Sequence, residues 1–174
     1  QEKAGWTPLH LAAASGHLGV VECLIQNKED VETCGNGNWT PLHMASNSGH
    51  LNVMKWLVDN GANVQAVDIG NRTPLHLASQ EGHVQAMRWL VKCGADVNAI
   101  TDCGWTPLIF AVVYSQKESV RVLVEELRAD VERASSQDSK FKSFKISAGM
   151  RAIDIAEKQK LSEMVLLLSQ KESI

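Results

Sequence analysis

Histidine and cysteine are the residue types in this chain whose spacing could support a metal site or a nucleophile. The six histidines form three pairs, each seven residues apart: His10/His17, His43/His50 and His76/His83. A glycine stands directly before the second histidine of every pair, and because glycine in this position typically ends a helix, paired side chains do not share one helix face. The cysteines have neither a CxxC pair nor zinc spacing. They are Cys23, Cys34, Cys93 and Cys103.

Sequence motifs of enzymes are also missing. The chain has no nucleophile elbow, phosphate-binding loop or zinc-protease motif. We therefore predict no catalytic centre, no metal site and no cofactor.

The composition limits the kinds of partner and the cellular compartment that we expect for this chain. The 174 residues carry a net charge of −3 with a pI near 6.1, so no global basic field favours nucleic acid. No apolar run approaches the roughly 20 residues that a membrane span needs, and no signal peptide is recognisable. Cysteines without a disulfide pattern are typical of intracellular proteins, so we expect a cytoplasmic or nuclear location.

Internal repetition defines the elements that carry these residues. Thr-Pro-Leu occurs four times at steps of 33 residues, beginning at Thr7, Thr40, Thr73 and Thr106. Threonine is a good helix N-cap and proline suits the first helical position, so each copy predicts a helix start. Gly16, Gly49 and Gly82 are expected to end three of these helices. A second apolar pattern at helical spacing follows, which predicts helix pairs that must stack to bury their apolar faces.

The repeated segments resemble a known family. GWTPLHLAAASGHL, NWTPLHMASNSGHL and NRTPLHLASQEGHV are similar to the ankyrin repeat, whose motif is T-P-L-H-x-A at a period of 33. The fourth copy, GWTPLIFAVVYSQK, departs from the motif because Ile109 replaces the histidine. The resemblance covers nearly the whole chain. It implies an all-α solenoid of helix-turn-helix units with β-hairpin fingers, which acts as a non-enzymatic protein-interaction module.

We predict a single ankyrin-repeat domain over residues 1–174. Its parts are repeat 1 (5–37), repeat 2 (38–70), repeat 3 (71–103), repeat 4 (104–133), an extended finger loop (134–149) and a C-terminal capping repeat (150–174). Arg151 fills the threonine slot of the capping repeat but lies 45 residues after Thr106 rather than 33, so 12 residues are extra. We place one of them at the end of an outer helix near Leu127 and the others in the finger. Repeat 1 lacks a polar cap, so we expect further repeats or another domain before Gln1.

The residue before each Thr-Pro is the main candidate for partner binding. In ankyrin proteins this slot lies at the base of the finger and faces the concave groove, and here it holds Trp6, Trp39, Arg72 and Trp105. Tryptophan and arginine are enriched at binding hot spots. The alternative is that each tryptophan packs against the next finger. One such residue in every repeat favours recognition.

Further groove positions follow from the same resemblance. They are Asn47, Gln80, Glu81, Val113 and Tyr114 on the first helices, Phe110 in the fourth repeat and Asp102 at a finger tip. The core does not easily explain Val113 and Tyr114, and any anchor pocket is expected at Trp105 and Tyr114. We expect the partner to be another protein or a peptide, bound by a monomeric domain.

Two other functions remain open. GWTPLIFAVVY is similar to the segment with which some ankyrin domains of chromatin proteins read methylated lysine in a histone tail. Trp105 and Phe110 match two positions of that aromatic cage, whereas Val113 stands where an acidic residue would help. The second alternative is a regulatory ankyrin domain of an enzyme or channel, whose partner would lie elsewhere in the same chain.

The inserted finger contains the segment KFKSFK, in which lysines alternate with Phe141 and Phe144. Its low hydrophobicity favours a solvated loop. Alternatively, the segment pairs as a longer hairpin or binds an acidic partner, and phosphorylation of Ser143 would weaken the latter contact.

Overall fold

The computed structural model describes residues 5–141 and 144–170. Over these ranges the chain folds into five consecutive helix pairs. The pairs are α1 (Pro8–Ala14) with α2 (Leu18–Gln26), α3 (Pro41–Ser48) with α4 (Leu51–Asp59), α5 (Pro74–Glu81) with α6 (Val84–Lys92), α7 (Pro107–Val113) with α8 (Lys117–Arg121), and α9 (Ala152–Lys158) with α10 (Ser162–Ser169). A short 3₁₀ turn covers Asn36–Asn38. The predicted all-α solenoid is confirmed.

The first helix of repeats 1 to 4 begins where the Thr-Pro pair predicts. The N-caps have extended backbone and are followed by proline; they are Thr7, Thr40, Thr73 and Thr106. Gly49 and Gly82 end α3 and α5 in the left-handed conformation, with φ of 74° and 82°. In repeats 4 and 5 the same conformation is adopted by Ser115 and Lys160, with φ of 61° each. Residues other than glycine are strained in this backbone conformation, so the departure from the motif destabilises these two repeats locally.

The helix pairs stack into two layers, and the core lies between neighbouring repeats. Helices α1, α3, α5, α7 and α9 lie side by side in the first layer, while α2, α4 and α6 form the second and α8 packs against α10. The leucine of each Thr-Pro-Leu is at most 1% exposed: Leu9, Leu42, Leu75 and Leu108. Each repeat therefore buries its apolar face only against its neighbours, as in other solenoids.

Three connections between repeats form fingers, which we number 1 (34–39), 2 (67–72) and 3 (100–105). One backbone hydrogen bond closes the base of each finger. These bonds run from Gly35 N to Trp39 O (2.8 Å), from Asp68 N to Arg72 O (3.1 Å) and from Thr101 N to Trp105 O (3.0 Å). Neighbouring fingers are also linked, since Ile69 N donates to Gly37 O (3.0 Å) and Asp102 N donates to Gly70 O (3.2 Å). The fingers thus form one connected row.

The extra residue predicted near Leu127 is confirmed as a helical irregularity. Helix α8 continues as a π-helix over Val122–Glu126, in which Leu127 N donates to Val122 O at 2.9 Å. A π turn accommodates one additional residue within a helix. Arg128 then takes the left-handed conformation that Gly94 has in repeat 3, with φ of 56°. Ala129 returns to the core at 8% exposed, so the insertion leaves the following packing unchanged.

The inserted finger forms a short antiparallel ribbon of β1 (Ser139–Phe141) and β2 (Phe144–Ile146). Lys140 is the cross-strand partner of Lys145. The expectation of an unpaired solvated loop is therefore wrong for these strands, and the longer hairpin is the correct alternative. Ile146 is fully buried and joins the core. Lys158 Nζ of repeat 5 donates to Lys145 O at 2.5 Å, which ties the ribbon to that repeat. Lys142 and Ser143, which the sequence singles out, lie outside the described residues.

Repeat 5 begins with an ion pair in place of the Thr-His pair. The carboxylate of Asp154 accepts a hydrogen bond from the backbone Arg151 N at 2.8 Å. The same carboxylate lies 3.3 Å from Nε of the Arg151 guanidinium. Arg151 also pairs with Glu132 at 2.9 Å. Glu157 and Lys158 are exposed. The last repeat thus combines an apolar inner face with a polar outer one.

Candidate protein-interaction groove

The residues in the slot before each Thr-Pro differ in exposure along the stack. Trp6 is 40% exposed, Trp39 and Arg72 are half-buried, and Trp105 is only 8% exposed. Trp6 and Trp39 meet edge to face with ring centroids 6.2 Å apart. The guanidinium of Arg72 lies 5.5 Å from the Trp39 ring centroid, in a cation–π contact. The row is therefore continuous from Trp6 to Arg72, and Trp105 is set into the surface.

Asp68 organises the centre of this row. Its Oδ2 accepts hydrogen bonds from the indole Nε1 of Trp39 (3.2 Å) and from Nε of Arg72 (2.6 Å). Its Oδ1 accepts from the backbone amides of Gly70 and Arg72, both at 2.9 Å. The side chain is 0% exposed, so one buried carboxylate fixes two of the predicted binding residues.

The same contacts keep Asp68 ionised. Burial alone would raise the pKa of Asp68, but hydrogen bonds from the Arg72 side chain and from the amides of Arg72 and Gly70 outweigh burial and leave that pKa below its usual range. The negative charge of Asp68 therefore balances the positive charge of Arg72. Sequence reasoning missed this residue, although its position five residues before Thr73 places it at the finger base.

An aromatic cluster occupies the fourth repeat. Trp105 meets Phe110 edge to face at 5.4 Å, and Phe110 stacks on Tyr114 at 6.2 Å with 5° between the rings. Phe110 is 6% exposed and Val113 is 1% exposed, so the core accounts for Val113 after all. Tyr114 is half-buried. The cluster is thus a packed wall of which only parts reach the surface.

The indole of Trp105 differs from that of Trp39 in its polar contact. The residue that closes the next finger is Ser135, whose amide bonds Met150 O as the Asp68 amide bonds Arg72 O. The Ser135 hydroxyl donates to Ser147 O at 2.9 Å instead of meeting the indole. As a result, Nε1 of Trp105 is buried with no hydrogen-bond partner among the described residues.

A pocket of about 270 Å³ opens between fingers 2 and 3. Its mainly apolar lining consists of Gly70, Arg72, Thr101, Asp102, Cys103, Trp105 and Phe110. Small-molecule sites usually enclose about 300–1,000 Å³. The pocket is below that range and has the size for one large side chain.

The first-helix positions predicted for the groove lie where neighbouring repeats are tied together. The carbonyl of each seventh residue after the N-cap accepts a hydrogen bond from a side chain of the next repeat. The pairs are His50 with Ala14 (3.1 Å), His83 with Asn47 (3.0 Å), Gln116 with Gln80 (2.9 Å) and Gln159 with Val113 (3.3 Å). Asn47 and Gln80 are half-buried, whereas Glu81 and Asp102 are exposed.

The other histidines of the motif also serve the scaffold. Nδ1 of His10, His43 and His76 accepts from the N-cap amide at 3.1–3.2 Å. Nε2 of each donates to the carbonyl of Trp39 (2.8 Å), Arg72 (3.1 Å) or Trp105 (3.0 Å) on the next finger. Burial lowers the pKa of all three, that of His76 to about 4, so they are neutral at pH 7.

Within residues 5–141 and 144–170, no three histidine, cysteine or acidic side chains are grouped so that they could hold a metal ion. None of the helices described is long and apolar enough to cross a membrane.

Comparison with known proteins identifies the family. A family model described as ankyrin repeats (3 copies) matches residues 1–68 and again residues 65–135. A search of curated proteins finds no match to the chain. Ankyrin repeats generally mediate protein–protein interaction and are non-enzymatic modules. With the motif, the stacked helix pairs and matches over residues 1–135 of 174, the chain belongs to the ankyrin repeat family.

Proposed function

We propose that this domain is a non-enzymatic module that binds a segment of another protein along the groove of finger bases and first helices. The observation that carries the proposal is the pocket between fingers 2 and 3. It combines Arg72 and Trp105 from the predicted row with Phe110 from the first helix layer. A concave, mainly apolar opening beside aromatic and arginine side chains is typical of an interface hot spot.

Exposed apolar side chains on the same two fingers support this location. Ile69 is 72% exposed, Val67 is 47% exposed and Ile100 is 46% exposed. Apolar side chains gathered on one surface typically mark interaction sites, whereas single ones need no explanation. Fingers 2 and 3 therefore offer a partner both a pocket and exposed apolar side chains.

The groove is also held in place before any partner arrives. Asp68 fixes Trp39 and Arg72, and the finger row is linked by backbone hydrogen bonds. Side chains that are already ordered lose little entropy on binding, which otherwise costs about 0.5–1.5 kcal/mol for each immobilised side chain. The low entropy cost favours an interface that stays largely rigid on binding.

Three exposed cysteines that form no disulfide are compatible with an intracellular location.

The test compares two matched variants that each place a charge on an exposed apolar residue. Ile69→Asp alters finger 2, and Leu166→Asp, at 60% exposed, alters α10. Both variants and the wild type are used for affinity enrichment from a lysate of the source cells, with folding checked by circular dichroism. We expect proteins that bind the wild type and Leu166→Asp but not Ile69→Asp. Equal retention by Ile69→Asp would place the interface elsewhere.

A methylated-lysine reader is the second candidate, favoured by the edge-to-face contact of Trp105 and Phe110 in the pocket lining. The Arg72 cation in the same lining and the burial of both rings oppose it. Its test is the affinity for histone-tail peptides with trimethylated or unmodified lysine. A methylation-dependent affinity would establish the reader, and equal affinities would exclude it.

A further inference from the structure

The charges around the pocket between fingers 2 and 3 are unbalanced. The cation of Arg72 is matched by the buried carboxylate of Asp68. Asp102, which lines the pocket, is exposed, and its carboxylate accepts one hydrogen bond from the side-chain Nδ2 of Asn71 at 2.5 Å. Glu81 is exposed as well, and its carboxylate accepts a hydrogen bond from the side-chain Nε2 of Gln80 at 2.6 Å. Neither Asp102 nor Glu81 has a cationic partner among the described residues.

Glu81 is the last residue of α5, which packs against α7, the helix that carries Phe110. Tyr114 stacks on Phe110, which lines the pocket. The pKa of the Tyr114 hydroxyl is raised chiefly by burial, while the charge of Arg72 lowers it and that of Glu81 raises it. Arg72 and Glu81 are therefore both within electrostatic reach of Tyr114. The pocket thus has one unbalanced carboxylate in its lining, and a second stands at the end of the neighbouring helix α5.

We propose that the pocket takes an apolar anchor side chain from a protein segment that carries lysine or arginine close to that anchor. This inference rests on the proposed groove function and specifies the chemistry of its partner. The apolar lining selects the anchor, since polar or charged side chains would lose their hydration there. Asp102 stands in the lining itself, so a basic residue next to the anchor meets it, and one further along the segment meets Glu81.

The two kinds of contact make separate contributions to affinity. Removal of the anchor abolishes most binding because buried apolar contacts dominate hot spots. Exposed ion pairs contribute much less, so neutralising both carboxylates should weaken binding only about 3- to 10-fold. Salt screens exposed charges, so the advantage of a basic segment should shrink as the ionic strength rises.

The test uses a random-peptide display library selected on the wild-type chain. Enriched clones are counted on the wild type and on Ile69→Asp, and the affinities of representative peptides are measured by fluorescence anisotropy. A second variant, Glu81→Gln with Asp102→Asn, removes both carboxylates of the site. Its matched control, Asp59→Asn with Glu125→Gln, removes two exposed carboxylates from the outer helices.

We expect clones that lose binding to Ile69→Asp and that share one aromatic or long aliphatic residue flanked by lysine or arginine. Their affinity should fall about 3- to 10-fold on Glu81→Gln with Asp102→Asn and stay unchanged on the control pair. Clones that depend on Ile69 but are acidic or lack an anchor would overturn this inference and leave the groove function intact. A selection in which no clone distinguishes Ile69→Asp from the wild type would overturn both.

Discussion

Repeats 1 to 3 and repeats 4 and 5 stack in the same way but are held together by different side chains. In the first three, His10, His43 and His76 join each helix start to the next finger. In repeat 4 that position is Ile109, fully buried, and the Met150 carbonyl of the next finger still accepts from Ser135 N, the equivalent of the backbone bond that closes fingers 1 to 3. Apolar packing of Ile109 thus replaces the histidine hydrogen bond, and the Met150 carbonyl that would have accepted it still has a backbone donor.

Repeats 4 and 5 also differ from the first three at other slots of the motif. Gln116 takes the place of the histidine that follows each first helix and reaches the same kind of carbonyl. Arg151 and Asp154 replace the Thr-His pair. Every buried polar backbone group must find a partner, so a departure from the motif survives only where another residue supplies that partner. The solenoid therefore depends on the pattern of satisfied groups more than on the identity of the residues.

The largest expected difference concerns one-residue deletions. Deleting Glu125 should convert the π turn of repeat 4 into regular helix and change the free energy of unfolding by at most about 1 kcal/mol. Deleting Lys55 from α4 rotates the following residues, including the fully buried Leu57, away from the core and should cost more than about 3 kcal/mol. Glu125 and Lys55 are both exposed, so the free energies of unfolding from urea denaturation compare the two backbone deletions and not the loss of a buried side chain. Equal losses would show that the π turn is not a simple insertion.

A histidine-to-isoleucine exchange tests the next difference. His76→Ile copies repeat 4 but leaves Thr73 N without a partner and removes one of the two donors to Trp105 O, so it should lower the free energy of unfolding by about 2 kcal/mol. His17→Leu copies the slot that Leu161 fills in repeat 5, and because His17 is exposed it should cost less than about 0.5 kcal/mol. Chemical denaturation of both variants measures the contrast. A loss below about 1 kcal/mol for His76→Ile would contradict this account.

Stability should also fall with acid because of the same histidines. The pKa of His76 is lowered from 6.5 to about 4 by burial, so the unfolded chain binds a proton that the folded chain does not. The stability contributed by neutral His76 is complete above pH 6.5 and is lost as the pH falls towards 4, about 2 kcal/mol of it by pH 5. His10 and His43 shift in the same direction. Unfolding midpoints of the wild type and His76→Ile between pH 7 and 5 should converge; parallel curves would contradict the assignment.

The smallest expected effect concerns the two tryptophan sites. Asp68→Ser places a serine in finger 2 at the position that corresponds to Ser135 in the finger after repeat 4. The indole Nε1 of Trp39 would then have no acceptor, as is the case for Nε1 of Trp105 among the described residues. We expect a loss of about 1–2 kcal/mol, because Arg72 keeps solvent contact and remains hydrated. The fluorescence of Trp39 should also change, because its indole loses the hydrogen bond to Asp68. Asp102→Asn, an exposed change on the next finger, is the control and should leave stability unaltered.

Much of the fold could be predicted from the sequence because its signals are local. Thr106-Pro107 starts a helix through its own cap and ring, and counting residues between motifs located the insertion at Leu127. The paired strands of the insertion were predicted only as an alternative to a solvated loop, since the burial of Ile146 in the core leaves no local signal in the sequence. Tertiary packing overrides the low hydrophobicity of such a segment.

The candidate groove could be predicted only in outline. The motif gave the row of Trp6, Trp39, Arg72 and Trp105, yet their exposure runs from 40% to 8% because the neighbours of each differ. Asp68 was missed because its role depends on Trp39, which lies 29 residues away in the chain. Such long-range pairs leave no spacing signal in a single sequence.

Binding of a partner at fingers 2 and 3 is tested most directly by hydrogen–deuterium exchange with and without a bound ligand. A ligand enriched on the wild type and lost on Ile69→Asp is added at saturating concentration. Slower exchange should appear in residues 66–72 and 99–105 and at the start of α7, with little change in α4, α6 and α10. Protection confined to the outer helices would contradict the account.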